Sequence, residues 1–220
     1  MGITNDIETL RTWIKECPKG GMVFFGGAGV STESGIPDFR SSDGLFMQDY
    51  QIPPEQIVSR SFFEAHPADF YDFYFNHMIF PDVEPNQAHR KLAELEQEGI
   101  LSAVITQNVD GLHQKAGSKN VFELHGSSLK NYCCSCRKQF TFEEFVALRK
   151  QALIRETNDS TSNSALNGVP RCPECGGIVR PDVVLYEEGL SEDVLVGAMK
   201  AISQAALMVV AGTSLVVYPA

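Results

Sequence analysis

The chain has 220 residues, 43% apolar and 21% charged, with a formal net charge of −10 and six cysteines. That length holds one large domain, or one with a small satellite, and the acidic balance argues against direct nucleic-acid binding and for a basic partner such as a lysine-bearing protein segment. No apolar run reaches membrane-span length and MGITNDIETL lacks a basic-then-apolar leader, so the cysteines point to a reducing, cytoplasmic setting and to metal rather than disulfides.

Thr4 to Glu16 carries Ile7, Leu10 and Ile14 at helical spacing, with Thr4 or Asn5 able to cap a core-covering helix. Met22 to Phe25 reads as a strand buried on both faces, and it runs straight into Gly26, Gly27, Ala28 and Gly29. Ser31, Thr32 and Ser34 follow and suit a helix start, whose free N–H groups favour a pyrophosphate. A dinucleotide site is the leading reading, with a plain strand-to-helix turn as the alternative, since Thr32 stands where the usual fingerprint has its third glycine. Asp38, Phe39 and Arg40, set after Pro37, read as a lid over that ligand. Ser41 to Ile100 shows no clear strand. Helical pieces are expected around Glu55–Arg60, over Pro67–Met78, and over Gln87–Glu98 behind an Asn86 cap. The stripe Phe70, Tyr71, Phe73, Tyr74 and Phe75 reads as the core of an inserted helical module.

Leu101 to Thr106 is the next buried strand, and its tip bears Gln107, Asn108, Val109 and Asp110. Amides and a carboxylate at a strand's carboxyl end suit ribose hydroxyls and a carboxamide; helix capping by Asn108 or Asp110 is the plainer alternative. Val121 to Leu124 is a short strand that delivers His125, followed by Gly126, and a histidine there suits proton transfer near neutral pH. Cys133-x2-Cys136 and Cys172-x2-Cys175 place four thiolates for a tetrahedral, structural Zn²⁺. Cys134 falls outside that set, and Cys17 reads as a buried or surface thiol. Between the pairs lie a helix from Phe142 to about Ala152 and a polar stretch over 156–168. Ile178 to Tyr186 reads as an extended segment broken at Arg180-Pro181 that returns the chain to the main domain. Ser191 caps a helix through Gln204 with Leu195, Met199 and Ile202 on one face, and the strand Leu207–Ala211 ends in Gly212, Thr213 and Ser214.

Taken together, GAGVSTESGIPDFR, TQNVDGLH, ELHG, the paired cysteine knuckles, VVLYEE and GTSLVVYPA make the chain resemble the sirtuins, the NAD-dependent protein deacylases. The resemblance implies an α/β fold: a Rossmann-like parallel-sheet domain over 1–40, 86–128 and 178–220, with a smaller lobe. That lobe joins a helical insertion, 41–85, to a zinc ribbon, 129–177, and NAD and substrate meet between the two. It further implies that Gly27, Ala28 and Thr32 hold the pyrophosphate and Gly212, Thr213 and Ser214 the adenosine side. Asp38, Phe39 and Arg40 cover the reactive ribose, with Phe39 over its carbon; Gln107 and Asn108 order ribose and water; Val109 and Asp110 hold the carboxamide. His125 is the implied general base, and Val183, Val184, Leu185 and Tyr186 the strand that receives an acetyl-lysine protein or peptide. The implied products are free lysine, nicotinamide and O-acetyl-ADP-ribose. A protein ADP-ribosyltransferase and a non-catalytic NAD-binding module remain as alternatives. Tyr50 has no arginine three residues on, so a short neutral acyl group is expected over an acidic one. Family members continue past the position of Ala220, so Leu215, Val216, Val217 and Tyr218 are expected to lack cover and the adenosine side one wall.

Overall fold

Met22–Gly26 forms β1, and all five residues are buried because both faces of the strand are covered. Met22 and Phe24 join Leu92, Leu95, Leu101 and Val104 on one side, while Val23 and Phe25 join Ile105, Leu124 and Ala198 on the other. A strand in that position has no polar face to spend, hence its continuous apolar run. In the computed structural model, which describes residues 2–41, 44–47, 50–157 and 167–217, the chain forms two units. One comprises 1–38, 82–124 and 190–220, and the other 39–81 and 125–189.

The first unit is built on a parallel sheet. β1 lies between β2 (Leu101–Thr106) and β7 (Leu207–Ala211), with β3 (Val121–Glu123) beyond β2. Strand order therefore reverses at β1, the place where open α/β sheets hold ligands beyond their carboxyl ends. Helix α1 (Gly2–Glu16) begins earlier than expected, so Thr4 and Asn5 lie inside it. Only Ile14 of its apolar stripe reaches the core; Ile7 and Leu10 are exposed, as is Trp13. Cys17 is half-buried beside Ile14. Helix α5 (Gln87–Gln97) starts at Asn86, whose side chain accepts from the Ala88 and His89 N–H groups, as the cap reading required. Helix α8 (Glu192–Ser203) differs from expectation. Its core face is Val194, Ala198, Ala201 and Ile202, while Leu195 and Met199 face outward. Small residues win there because they allow close approach to the sheet: a Cβ on Gly197 would stand 2.5 Å from the Phe122 ring.

The second unit joins helices to a small antiparallel sheet. Its helices α2 (Pro54–Ile57), α3 (Arg60–Ala65), α4 (Pro67–His77) and α7 (Phe142–Thr157) supply one core with the sheet. Phe70, Tyr71, Phe73 and Tyr74 are buried in it, so the aromatic stripe of α4 is core. In the sheet, β4 (Gly126–Cys133) lies between β5 (Gln139–Thr141) and β6 (Val179–Val183). Pro181 does not break β6: the strand is on the sheet edge, where a missing N–H is tolerated, and β4 absorbs a register shift opposite it. This pairing holds 178–189 and 125–128 in the second unit rather than with the parallel sheet. Of the polar 156–168 stretch, 158–166 lies outside the described residues, as does Tyr218; Leu215 and Val216 are exposed. Among the described residues no helix is long and apolar enough to cross a membrane.

Helix α6 (Leu112–Ala116) brings His113 against His89 of α5, ring centroids 4.7 Å apart, with both side chains essentially inaccessible. Neither ring nitrogen of His113 has a partner among the described residues. Burial, with the neighbouring His89 adding to it, lowers its pKa to about 3, so the ring is neutral in the folded chain. A free histidine titrates near ~6.5, so the unfolded chain binds the extra proton and stability drains as pH falls from about 6.5 towards 3. At pH 5 the loss from His113 is about 2 kcal/mol. Urea unfolding at pH 7.5 and pH 5 should show it, and His113→Gln should shrink the difference; an identical pH dependence in both proteins would refute the assignment.

Candidate active site and metal centre

The tips of β1, β2 and β7 are knitted together at their carboxyl ends. The Gly27 N–H donates to Ala211 O, the Gly29 N–H to Gly212 O at 2.9 Å, and the Gln107 N–H to Gly26 O. A Cβ on Gly29 would fall 2.8 Å from the Gly212 Cα, and one on Gly212, at φ +64°, would fall 2.4 Å from the Val30 N. Here the glycines serve contact between loops. A Cβ on Gly27 would likewise strike Gln107 and Thr213. After β1 the chain makes two 3-10 turns, Ala28–Val30 and Thr32–Ser34, in place of the expected α-helix start. The N–H groups of Ala28 and Thr32 have no partner among the described residues. Such donors beside a parallel-sheet switch point fit the phosphates of a dinucleotide.

Side chains lock the same loops. The Asn108 Nδ2 donates to Ser31 Oγ at 3.0 Å, and Ser31 Oγ donates to Asp110 Oδ2 at 2.7 Å. Asp110 in turn accepts from the Leu112 N–H, but the N-cap of α6 is Gly111 and makes no side-chain cap bond, so neither Asn108 nor Asp110 is its cap. Asn108 is buried and its own N–H bonds the Thr106 hydroxyl. Thr213 Oγ1 donates to Gln107 Oε1 at 2.8 Å, tying the β7 tip to the β2 tip. Ser31, buried at the centre of this network, reads in the sequence only as a helix-start residue. Its signal was a small hydroxyl one loop away from an amide–carboxylate pair, which gains meaning only once β1 and β2 are neighbours. Ser214 follows Thr213 in the same β7 loop, and Val109 lies between Asn108 and Asp110.

In the second unit, the Arg40 guanidinium donates to the Tyr186 hydroxyl at 3.2 Å and lies over the Phe46 ring, which packs on Phe39 at 5.0 Å. Asp38 is the last residue of the first unit. His125 opens the second unit, in the turn before β4, and its carbonyl accepts from the Val184 N–H at 2.9 Å. Gly126, at φ +78°, permits this: any Cβ would stand 2.0 Å from Asp182 O. The segment Val183–Tyr186 is tied down along its backbone. Leu185 N–H donates to Glu188, Tyr186 N–H to Val58 O, and the Tyr186 carbonyl accepts from Arg60. Over 184–186 the Val184 carbonyl is the one backbone acceptor without a partner among the described residues, so an added strand has little ladder to bond there. Burial alone would raise the Glu188 carboxyl, but bonds from Arg180 and the Leu185 N–H prevail and hold it below the ordinary range.

The four cysteines Cys133, Cys136, Cys172 and Cys175 gather their sulfurs within 4.8 Å of one another. The Cys133–Cys175 and Cys136–Cys172 pairs stand 3.4 and 3.7 Å apart. A tetrahedral ion with metal–sulfur bonds of about 2.3 Å needs sulfurs about 3.8 Å apart, so the set fits. The two knuckles are the same turn built twice. Arg137 N–H bonds Cys133 O and Gly176 N–H bonds Cys172 O, each residue following its second cysteine in a left-handed conformation. Cys134 is exposed and outside the cluster. Elemental analysis of freshly purified protein should find one metal ion per chain. Cys172→Ala should lose it and expose the second unit to proteolysis, while Cys134→Ala should keep it; metal retained in full by Cys172→Ala would count against the four-sulfur site.

The chain matches the Sir2 family over residues 27–219. An NAD-dependent protein deacetylase of Clostridium perfringens is 54% identical over 216 residues, covering 97% of this chain and 80% of the relative. One from Cutibacterium acnes is 48% identical over 215 residues, with the same coverage. A solved Sir2 structure with a p53 peptide and NAD+ superposes with a TM-score of 0.76 at 40% identity, covering 97% of this chain and 78% of that one. A Sir2 variant with deacetylated p53 peptide and 3′-O-acetyl ADP ribose gives a TM-score of 0.80 at 39% identity, with the same coverage. A parallel-sheet unit with a reversed strand order at β1, a second unit closed by four cysteines, and this likeness over almost the whole chain place the protein in the Sir2 family, the sirtuins.

Proposed function

We propose that the chain is an NAD-dependent protein lysine deacetylase, releasing nicotinamide and forming O-acetyl-ADP-ribose. The observation that carries the reading is likeness to named deacetylases over 97% of the chain, with Asn108 held rigidly at the β2 tip. NAD, when bound, supplies the ADP-ribose that accepts the acetyl group. Free N–H groups at Ala28 and Thr32, with Gly27 shaping their loop, take the pyrophosphate, and Gly212, Thr213 and Ser214 bound the adenosine side. Asn108 and Gln107 orient ribose and its water, and Val109 and Asp110 hold the carboxamide. Asp38, Phe39 and Arg40 exclude bulk water from the reacting carbon. His125 withdraws a proton from a ribose hydroxyl, the step that frees that oxygen to attack the acetyl carbon.

The peptide runs along Val183, Val184, Leu185 and Tyr186. Since their amides are satisfied internally, backbone contact there rests on the Val184 carbonyl and side chains supply the rest. The metal is Zn²⁺ and structural, because four cysteine sulfurs leave no open coordination position. Tyr50 sits beside His77, its hydroxyl 3.3 Å from Nδ1. With no arginine following at the expected spacing, a succinyl or malonyl carboxylate finds no partner, and acetyl is the preferred group.

Mass spectrometry of an acetylated peptide incubated with enzyme and NAD should show O-acetyl-ADP-ribose. ADP-ribosylated protein alone, or no product, would replace this reading with a transferase or a binding module. His125→Ala should cut turnover by about 10²–10⁴-fold while NAD binding and melting temperature stay close to wild type; comparable turnover would remove His125 from its role. On one peptide, acetyl should be removed faster than succinyl, and the reverse order would overturn the acyl assignment.

A further inference from the structure

In the second unit, one cavity of about 460 Å³ gathers positive charge on a chain that is otherwise acidic. Arg60, Arg137, Arg171 and Arg180 line it, together with Tyr132, Glu64 and Glu188. Two of the arginines are spoken for. Glu188 takes Arg180 through two bonds of 2.7 and 2.9 Å, and Glu64 takes Arg60 at 2.9 Å. Arg137 and Arg171 have no carboxylate partner among the described residues. The Arg137 guanidinium lies 4.1 Å from the Tyr132 ring centroid, and Arg171 donates at 3.3 Å to the neutral Gly176 carbonyl. Four guanidiniums thus line this space, and two of them have no carboxylate among the described residues.

Arg137 carries a second observation. It holds φ +62° in the turn after Cys136, and the matching position of the twin knuckle is Gly176 at φ +73°. Both donate their N–H to the first cysteine's carbonyl, so the turn itself asks only for a left-handed residue, which glycine adopts without strain. Arginine therefore stands where glycine would meet the turn without strain, and its side chain lines the same cavity as Arg171.

We propose that this cavity binds a phosphate-type oxyanion, either inorganic phosphate or the head of a phosphate monoester, with Arg137 and Arg171 as its principal donors. Guanidinium forks match phosphate oxygens in geometry. The site lies entirely within the second unit and stands whether or not the deacetylase reading holds.

Isothermal titration of the full, metal-loaded chain at low salt and without NAD tests it, using inorganic phosphate and, separately, phenyl phosphate. One saturable site per chain is expected. Response to both probes identifies free phosphate as sufficient, and response to phenyl phosphate alone identifies the ester as the source. Arg137→Gly, which suits the left-handed turn and so keeps the knuckle and its metal, should weaken binding at least tenfold. Arg171→Gln should do the same, and the double variant should show no heat of binding. No binding of either probe, or binding at full strength in both single variants, overturns the proposal.

Discussion

Backbone contact between Gly29 and Gly212 sets the spacing of everything at the carboxyl end of the parallel sheet. With no side chain on either residue, the loops after β1 and β7 close to a 2.9 Å hydrogen bond. At that spacing Thr213 reaches Gln107 and Ser31 reaches both Asn108 and Asp110. The Thr213 bond crosses from the β7 loop to the β2 loop, and the Ser31 bonds cross from the β1 loop to the β2 loop. The glycines thus act one step back from the chemistry. They fix the backbone, the backbone fixes five polar side chains, and among the described residues the Ala28 and Thr32 amides stay open for a ligand. Preorganisation of this kind counts because donors already aimed cost no rearrangement when a charged group arrives.

The second unit depends on a different constraint. Cys133 and Cys172 belong to the same buried cluster as Phe70, Tyr74, Phe140 and Phe145, so the metal knuckles are continuous with the helical core. Tyr71 adds a 2.6 Å bond from its hydroxyl to the Val179 carbonyl, fastening α4 to β6. A metal held there would therefore be coupled to helices far away in sequence, and its binding free energy would also be folding free energy for this unit. The ribbon alone has few apolar residues: β4 offers little beyond Leu129, Tyr132 and Cys133, and Leu129 is exposed.

That poverty explains what could not be read from the sequence. β1, β2, the Asn86 cap and the α4 aromatic core were legible because a doubly covered strand, a capping box and a dense helical stripe each write a local pattern. β4 and β5 write none, being polar strands held by sheet pairing and by the cysteines. Two apolar stripes run along α8, and the choice of Val194, Ala198 and Ala201 depends on the sheet beneath them. Pro181 looked like a break because edge position is a property of the finished sheet. At the candidate site, residue types and strand tips were legible, whereas Ser31 and the use of glycine for loop contact were not. Both are relations between segments that meet only in the fold.

The segment after β6 shows how such relations shape function. Arg180 is buried, and its charge is tolerated because Glu188 grips it in two bonds and the Val183 carbonyl takes a third. Removing either partner of such a pair leaves an uncompensated charge, which costs more than the intact pair contributes. Glu188 also accepts from the Leu185 N–H, so one carboxylate neutralises the arginine and shapes the turn that presents Val184. The Val184 N–H is itself held by the carbonyl of His125. The same backbone bond therefore places the proposed base and the proposed peptide-bearing residue at once. Ordering that in a free segment would be charged against binding of every substrate. Here it is completed during folding, by bonds that involve no ligand.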